Sequence, residues 1–144
     1  MSTDAVIEMR LVITTDAFEQ VLRFYRDHLG LGQETLFTSP DGSVALLAAG
    51  RATLEISDRS NAEFIDRIEV GRPVSGPIRL AFRVANVVEA TRRLEAAGAE
   101  VLGSPRRTPF GSINSRLAAP ELQLTLFQQT GEESWTTSVP SDHS

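Results

Sequence analysis

The stretch IRLAFRVANVVEATRRLEAAGAEV, residues 78–101, follows the same pattern as MRLVITTDAFEQVLRFYRDHLGLG, residues 9–32, and the architecture builds outward from that repetition. A shift of 69 positions brings Arg10 onto Arg79, Leu11 onto Leu80, Ile13 onto Phe82, Val21 onto Ala90 and Tyr25 onto Leu94 without a gap. Each copy opens as a strand. Period-two alternation puts Arg79, Ala81 and Arg83 on one face and Leu80, Phe82 and Val84 on the other. One face packs, and the other meets something that tolerates charge.

Each strand is followed by a helix. In the first copy Asp16 is the expected cap, Val21, Leu22, Phe24, Tyr25 and Leu29 give helical apolar spacing, and Gly30 suits the residue after the helix end. In the second copy the helix closes at Gly98. Short apolar runs follow each helix. They lie around TLF (35–37), VALLA (44–48) and ATLEIS (52–57) in the first copy, separated by the turn signals SPDG and AGR, and near 100–103, 112–118 and 122–128 in the second. The chain thus reads as α+β, a duplication of two βαβββ modules spanning about 7–57 and 78–128 within a single domain, 1–128. A linker, 58–77, joins them, with a short helix expected in NAEFIDRIEVG before the loop RPVSGP. The polar stretch 129–144 reads as a mobile tail.

Composition narrows the chemistry. The net charge is −5, of which Glu132, Glu133 and Asp142 in the tail supply −3, so the body carries about −2 and presents no nucleic-acid surface. No apolar run approaches the roughly 20 residues that span a bilayer, and MSTDAVIEMR lacks the order of a signal peptide, so a cytoplasmic protein without membrane partners is expected. There is no cysteine, which excludes a thiolate nucleophile and a cysteine metal site. All fourteen basic residues are arginine, so Schiff-base chemistry has no side-chain amine. No phosphate-binding glycine loop occurs, and GSINS (111–115) is not a nucleophile elbow.

The elements FYRDHLGLG, LEI and RLEAAGAEV, in this order and in two modules, resemble the vicinal oxygen chelate superfamily, which includes glyoxalase I, extradiol dioxygenases and bleomycin-resistance proteins. The resemblance runs from about residue 7 to 128. It implies sheets that curl into an open cup and a homodimer that completes the site. Metal-binding members take one ligand from the first and last strand of each module. Those positions here are Arg10, Glu55, Arg79 and Thr125, the last strands ATLEIS and LQLTLF aligning at a shift of 70. Glu55 is the one credible ligand among them, since a guanidinium offers no lone pair and a lone threonine hydroxyl is weak. The Asp-Pro-x-Gly-Asn turn of many relatives is replaced by APELQ (119–123). The expectation is a cup that keeps its shape and holds no metal or other cofactor. His28, at a helix end, and His143, in the tail, belong to no ligand-spaced cluster.

Two readings of Arg10, Glu55 and Arg79 stand side by side. In one they form a structural ion-pair network; in the other they floor a pocket for an anionic or carbonyl-bearing ligand. Neither arginine is expected to be both deep and unpaired, because an isolated buried charge costs several kcal/mol. Arg83 belongs at the rim. Asn114 and Arg116 share a strand face with donors suited to a small molecule, Phe110 is a candidate wall, and Arg106 and Arg107 read as solvated. The candidate ligand-binding set is therefore Arg10, Glu55, Arg79, Arg83, Phe110, Asn114, Arg116 and Thr125, with no catalytic residue assigned, although Glu55 is a candidate lone general base. The preferred function is metal-free binding of a small molecule, for sequestration or sensing, by a homodimer. A metal-dependent lyase, isomerase or dioxygenase and a purely structural dimeric module are the alternatives.

Overall fold

In the computed structural model, which describes residues 6–131, eight strands form one mixed sheet. The first module contributes β1 (Glu8–Thr15), β2 (Gly32–Ser39), β3 (Gly42–Ala49) and β4 (Ala52–Asp58). The second contributes β5 (Ile78–Arg83), β6 (Glu100–Arg107), β7 (Ser112–Ala119) and β8 (Leu122–Gln129). The order β2-β3-β4-β1-β5-β8-β7-β6 reads as one module and its mirror. Within each module the first strand pairs parallel with the last, β1 with β4 and β5 with β8. The modules join where β1 runs antiparallel to β5, with Val12 opposite Arg79 and Arg10 opposite Ala81.

The outer face carries the two repeated helices. Helix α1 (Phe18–Arg23) buries Phe18 and Leu22 against Ala45, Leu47, Leu54 and Ile56. Helix α3 (Val87–Ala96) buries Val87 and Ala90 against Val84, Leu117 and Leu126. Full burial of each larger side chain among these, such as Phe18, Leu22 and Val87, contributes about 1.5–3 kcal/mol. Asn86 caps α3, accepting from the Glu89 N–H at 3.0 Å.

The first helix departs from its expected form at both ends. Asp16 does not cap it; the N-cap residue is Ala17, whose N–H donates to Thr15 Oγ1 at 2.9 Å, and Asp16 instead accepts from Arg59 Nε at 2.9 Å. Beyond Arg23 the helix widens into a π-helical turn, Phe24–His28, with Leu29 N–H reaching back to the Phe24 carbonyl. The wider turn shifts the helical phase, so Phe24 and Leu29 face outward and are exposed rather than packed.

The linker holds helix α2 (Arg59–Glu69), which starts two residues before the stretch where a short helix is expected and lies on the opposite, inner face of the sheet. Asp58 caps it, accepting from Asn61 N–H at 2.8 Å. The helix spans about 16 Å. Its ends rest on a glycine from each module. A Cβ on Gly42 would stand 2.3 Å from the Asn61 backbone nitrogen, and one on Gly103 would stand 2.0 Å from the Glu69 carbonyl oxygen. Only glycine permits such close backbone approach, so these two positions seat α2 across the cup. The tail beyond residue 131, with His143, lies outside the described residues.

Candidate functional site

Strand alternation decides which side chains face the cup. From the register, Arg10 and Val12 of β1, Glu55 of β4, Arg79 and Ala81 of β5, and Thr125 and Phe127 of β8 share the inner face. Between this floor and α2 lies a cavity of about 350 Å³. All four positions that correspond to family metal ligands, Arg10, Glu55, Arg79 and Thr125, line it. Phe37, Leu46, Phe110 and Phe127 supply apolar wall. Its size is at the lower end of the range for small-molecule sites.

Arg79 is the unusual member. Only 7% exposed, it donates from Nη1 to Thr125 Oγ1 at 2.6 Å, and its buried Nε has no hydrogen-bond partner. No carboxylate among the described residues lies within ion-pair distance of it, so the expectation that it would not be deep and unpaired is corrected. Burial lowers its proton affinity, and repulsion from Arg116 adds to this, while Glu69, Glu55 and Asp66 act in the opposite sense. The three carboxylates offset part of that burial cost without reversing it.

Arg10 is held differently. Its Nε donates to Glu8 Oε2 at 2.8 Å, and its guanidinium lies 4.7 Å from the centroid of the Phe127 ring. Glu55 approaches Arg10 Nη1 only to 3.8 Å. Burial pushes the Glu8 carboxyl up, but hydrogen bonds from Arg10 and Thr53, with the charges of Arg10 and Arg83, outweigh it and hold Glu8 below its ordinary value. The trio Arg10, Glu55 and Arg79 is therefore no closed network: Arg10 is oriented by Glu8, and Arg79 by a hydroxyl.

The closed network lies elsewhere and centres on Arg116. This fully buried guanidinium donates to Asp66 Oδ1 at 2.9 Å and to Glu69 Oε1 at 2.7 and 3.1 Å, tying β7 to α2. Arg116 thus faces inward as the alternation predicts but lies behind the lining, held by α2 rather than open to a ligand. Burial raises the Asp66 carboxyl. The hydroxyl of Ser75, the backbone N–H groups of Val74 and Ser75, and Arg116 all donate to it, and together they hold it below its ordinary value. Asn114 lines the cavity, its Nδ2 donating to Glu69 Oε2 at 2.6 Å, while its Oδ1 is buried without a partner. Phe110 also lines the cavity and meets Phe64 of α2 edge-on, centroids 6.2 Å apart. Arg83 is half-buried, opposite Glu8 in the β1–β5 ladder and outside the lining.

Asn61, Ile65 and Glu69 complete the roof, and the sequence reading did not single them out. Their i, i+4, i+8 spacing marks one helix face, and that was the available signal. A charged residue on such a face reads as solvated until a buried arginine is known to lie beneath it.

The donor set can be tested against a divalent metal. Two guanidiniums, one hydroxyl and one carboxylate meet at the family positions, and among the described residues no group of three His, Cys, Asp or Glu side chains could hold an ion. Guanidinium nitrogens offer no lone pair, so these residues do not fit the metal.

Comparison with known proteins places this geometry. The chain is similar in structure to a hypothetical protein from Bacillus halodurans C-125, with 15% identity, TM-score 0.66, and coverage of 92% of this chain and 99% of that one. It is also similar to methylmalonyl-CoA epimerase from Mycobacterium tuberculosis, with 21% identity, TM-score 0.65, and coverage of 90% and 92%. A methylmalonyl-CoA epimerase in complex with methylmalonyl-CoA and NH4+ matches with 20% identity, TM-score 0.64, and coverage of 91% and 99%. At these identities the likeness shows the fold alone. No curated protein matches the sequence significantly. The model of the Glyoxalase/Bleomycin resistance protein/Dioxygenase superfamily matches residues 9–127, nearly the whole described chain, and the protein belongs to that superfamily.

Proposed function

We propose that this chain is a metal-free small-molecule binding protein of the bleomycin-resistance kind, which sequesters or senses its ligand in the cup. The observation that carries the reading is Arg79, a buried guanidinium that lines the cavity at a family metal position and is satisfied, among the described residues, by one hydroxyl. A cation without a contacting carboxylate suits binding to an acceptor-bearing molecule, and binding needs affinity without chemistry. Two further proposals accompany it, a cytoplasmic location and a homodimer. Among the described residues no helix is long and apolar enough to cross a membrane. Support for the homodimer comes from exposed Met9 and Ile78 on the outer face of the central strands, with Ile7 beside them.

The test is metal content after expression with Mn, Fe, Ni or Zn, with thermal melts in each metal and then against a small-molecule panel. The expected result is substoichiometric metal, no metal-dependent stabilisation, and a ligand that adds about 2.7 kcal/mol at 100 times its Kd. One tightly held metal per chain would overturn the reading in favour of a metal-dependent lyase, isomerase or dioxygenase. A panel that never shifts the melt would favour a structural module.

A further inference from the structure

Among the described residues two buried side-chain atoms lack a hydrogen-bond partner, Arg79 Nε and Asn114 Oδ1. Both residues line the same cavity. They have opposite hydrogen-bonding sense. Arg79 Nε can only donate, and Asn114 Oδ1 can only accept, its orientation being fixed because Nδ2 donates to the Glu69 carboxylate at 2.6 Å. A buried polar atom left unpaired carries a desolvation penalty, so native structures pair nearly all of them. Phe110 and Phe127 give the same cavity aromatic surface.

Charge narrows the class further. The charged residues that line the cavity are Arg10 and Arg79 with Glu34, Glu55 and Glu69. That is three carboxylates against two guanidiniums. A ligand carboxylate would deepen an existing negative excess, whereas a neutral carbonyl accepts from Arg79 without adding charge. The volume of about 350 Å³ favours a compact, single-ring body.

We infer that the ligand is a compact, neutral, ring-bearing molecule that presents a carbonyl-type acceptor to Arg79 and a hydroxyl or N–H donor to Asn114, its ring packed against Phe110 and Phe127. This rests on the small-molecule reading above and specifies its ligand.

The experiment titrates the full chain, by NMR, with 4-hydroxybenzamide, benzamide, phenol and 4-hydroxybenzoate. 4-Hydroxybenzamide is expected to perturb the Phe110 and Phe127 ring resonances and to bind roughly tenfold more tightly than benzamide or phenol, each of which lacks one polar partner. In Arg79→Met the advantage over phenol is expected to vanish and the advantage over benzamide to remain. Should that variant not fold, the ligand series on the unaltered protein is sufficient. Equal affinities for all four probes would overturn the role of the two polar atoms, and tighter binding of 4-hydroxybenzoate would overturn the preference for a neutral acceptor. A chemically broad fragment set is run in parallel by thermal shift. Binding of other fragments in the cavity, with 4-hydroxybenzamide silent, would overturn this inference and leave the small-molecule reading standing. A set in which nothing binds would overturn both.

Discussion

Arg116 of β7 and Glu69 of α2, 47 positions apart in sequence, are joined by hydrogen bonds of 2.7 and 3.1 Å in which neither side chain is more than 2% exposed. With Asp66 at 2.9 Å from the same guanidinium, they fix the linker helix over the second module.

Removing the cation from this group leaves two carboxylates buried without a counter-ion. Arg116→Met is expected to lose about 3–5 kcal/mol, as breaking a buried pair from one side does. Urea denaturation read by circular dichroism checks this, and a loss below about 1 kcal/mol would mean that α2 is held by other contacts.

Glu55→Gln serves as the contrast. Its carboxylate stands 3.8 Å from an arginine that already has Glu8 at 2.8 Å, so the substitution is expected to change stability by no more than about 1 kcal/mol. If Glu55→Gln instead unfolds the protein as Arg116→Met should, the cavity floor is the structural network.

Arg79→Met is expected to leave stability unchanged or to raise it, because an apolar side chain replaces a buried charge that no carboxylate contacts. Thermal melts of the two proteins side by side give the comparison. A loss of several kcal/mol would assign Arg79 a structural role.

Acid stability follows from Glu8 and Asp66, whose carboxyls are held below their ordinary values of 4.5 and 3.8. Between the folded and the ordinary value the unfolded chain binds more protons, so stability rises with pH there. The contribution is complete above about pH 5 and is lost as pH falls through each depressed value. Asp66→Asn is expected to flatten the acid limb of a stability profile measured from pH 6 down to pH 2; an unchanged slope below pH 4 would remove Asp66 from the account.

Gly103→Ala places a Cβ 2.0 Å from the Glu69 carbonyl oxygen, backbone that cannot rotate away. A loss of about 1–3 kcal/mol is expected, the range for forced overpacking. Gly76→Ala, where a Cβ meets nothing within 4 Å, is the control and is expected to stay within about 0.5 kcal/mol. Equal effects at the two sites would show that α2 is free to lift from β6.

Alternation along β1 and β5, helical spacing after each and the shift of 69 are local or repeated patterns, and they suffice for the modules, the strand faces and the inward positions of Arg10 and Arg79, whereas Glu55 and Thr125 follow from the resemblance to the superfamily. The widening of α1 at Phe24 and the loss of the Asp16 cap were not legible, since both depend on where neighbouring segments draw the chain. Least legible was the placement of α2. Nothing in the stretch from Arg59 to Glu69 says whether its acidic face meets water or a guanidinium contributed by β7. That pairing, across some 50 residues of sequence, fixes which arginine is held in structure and which is left facing the cavity. Charge pairing at such separations depends on which surfaces the folded sheet brings together, and no period in the sequence encodes it.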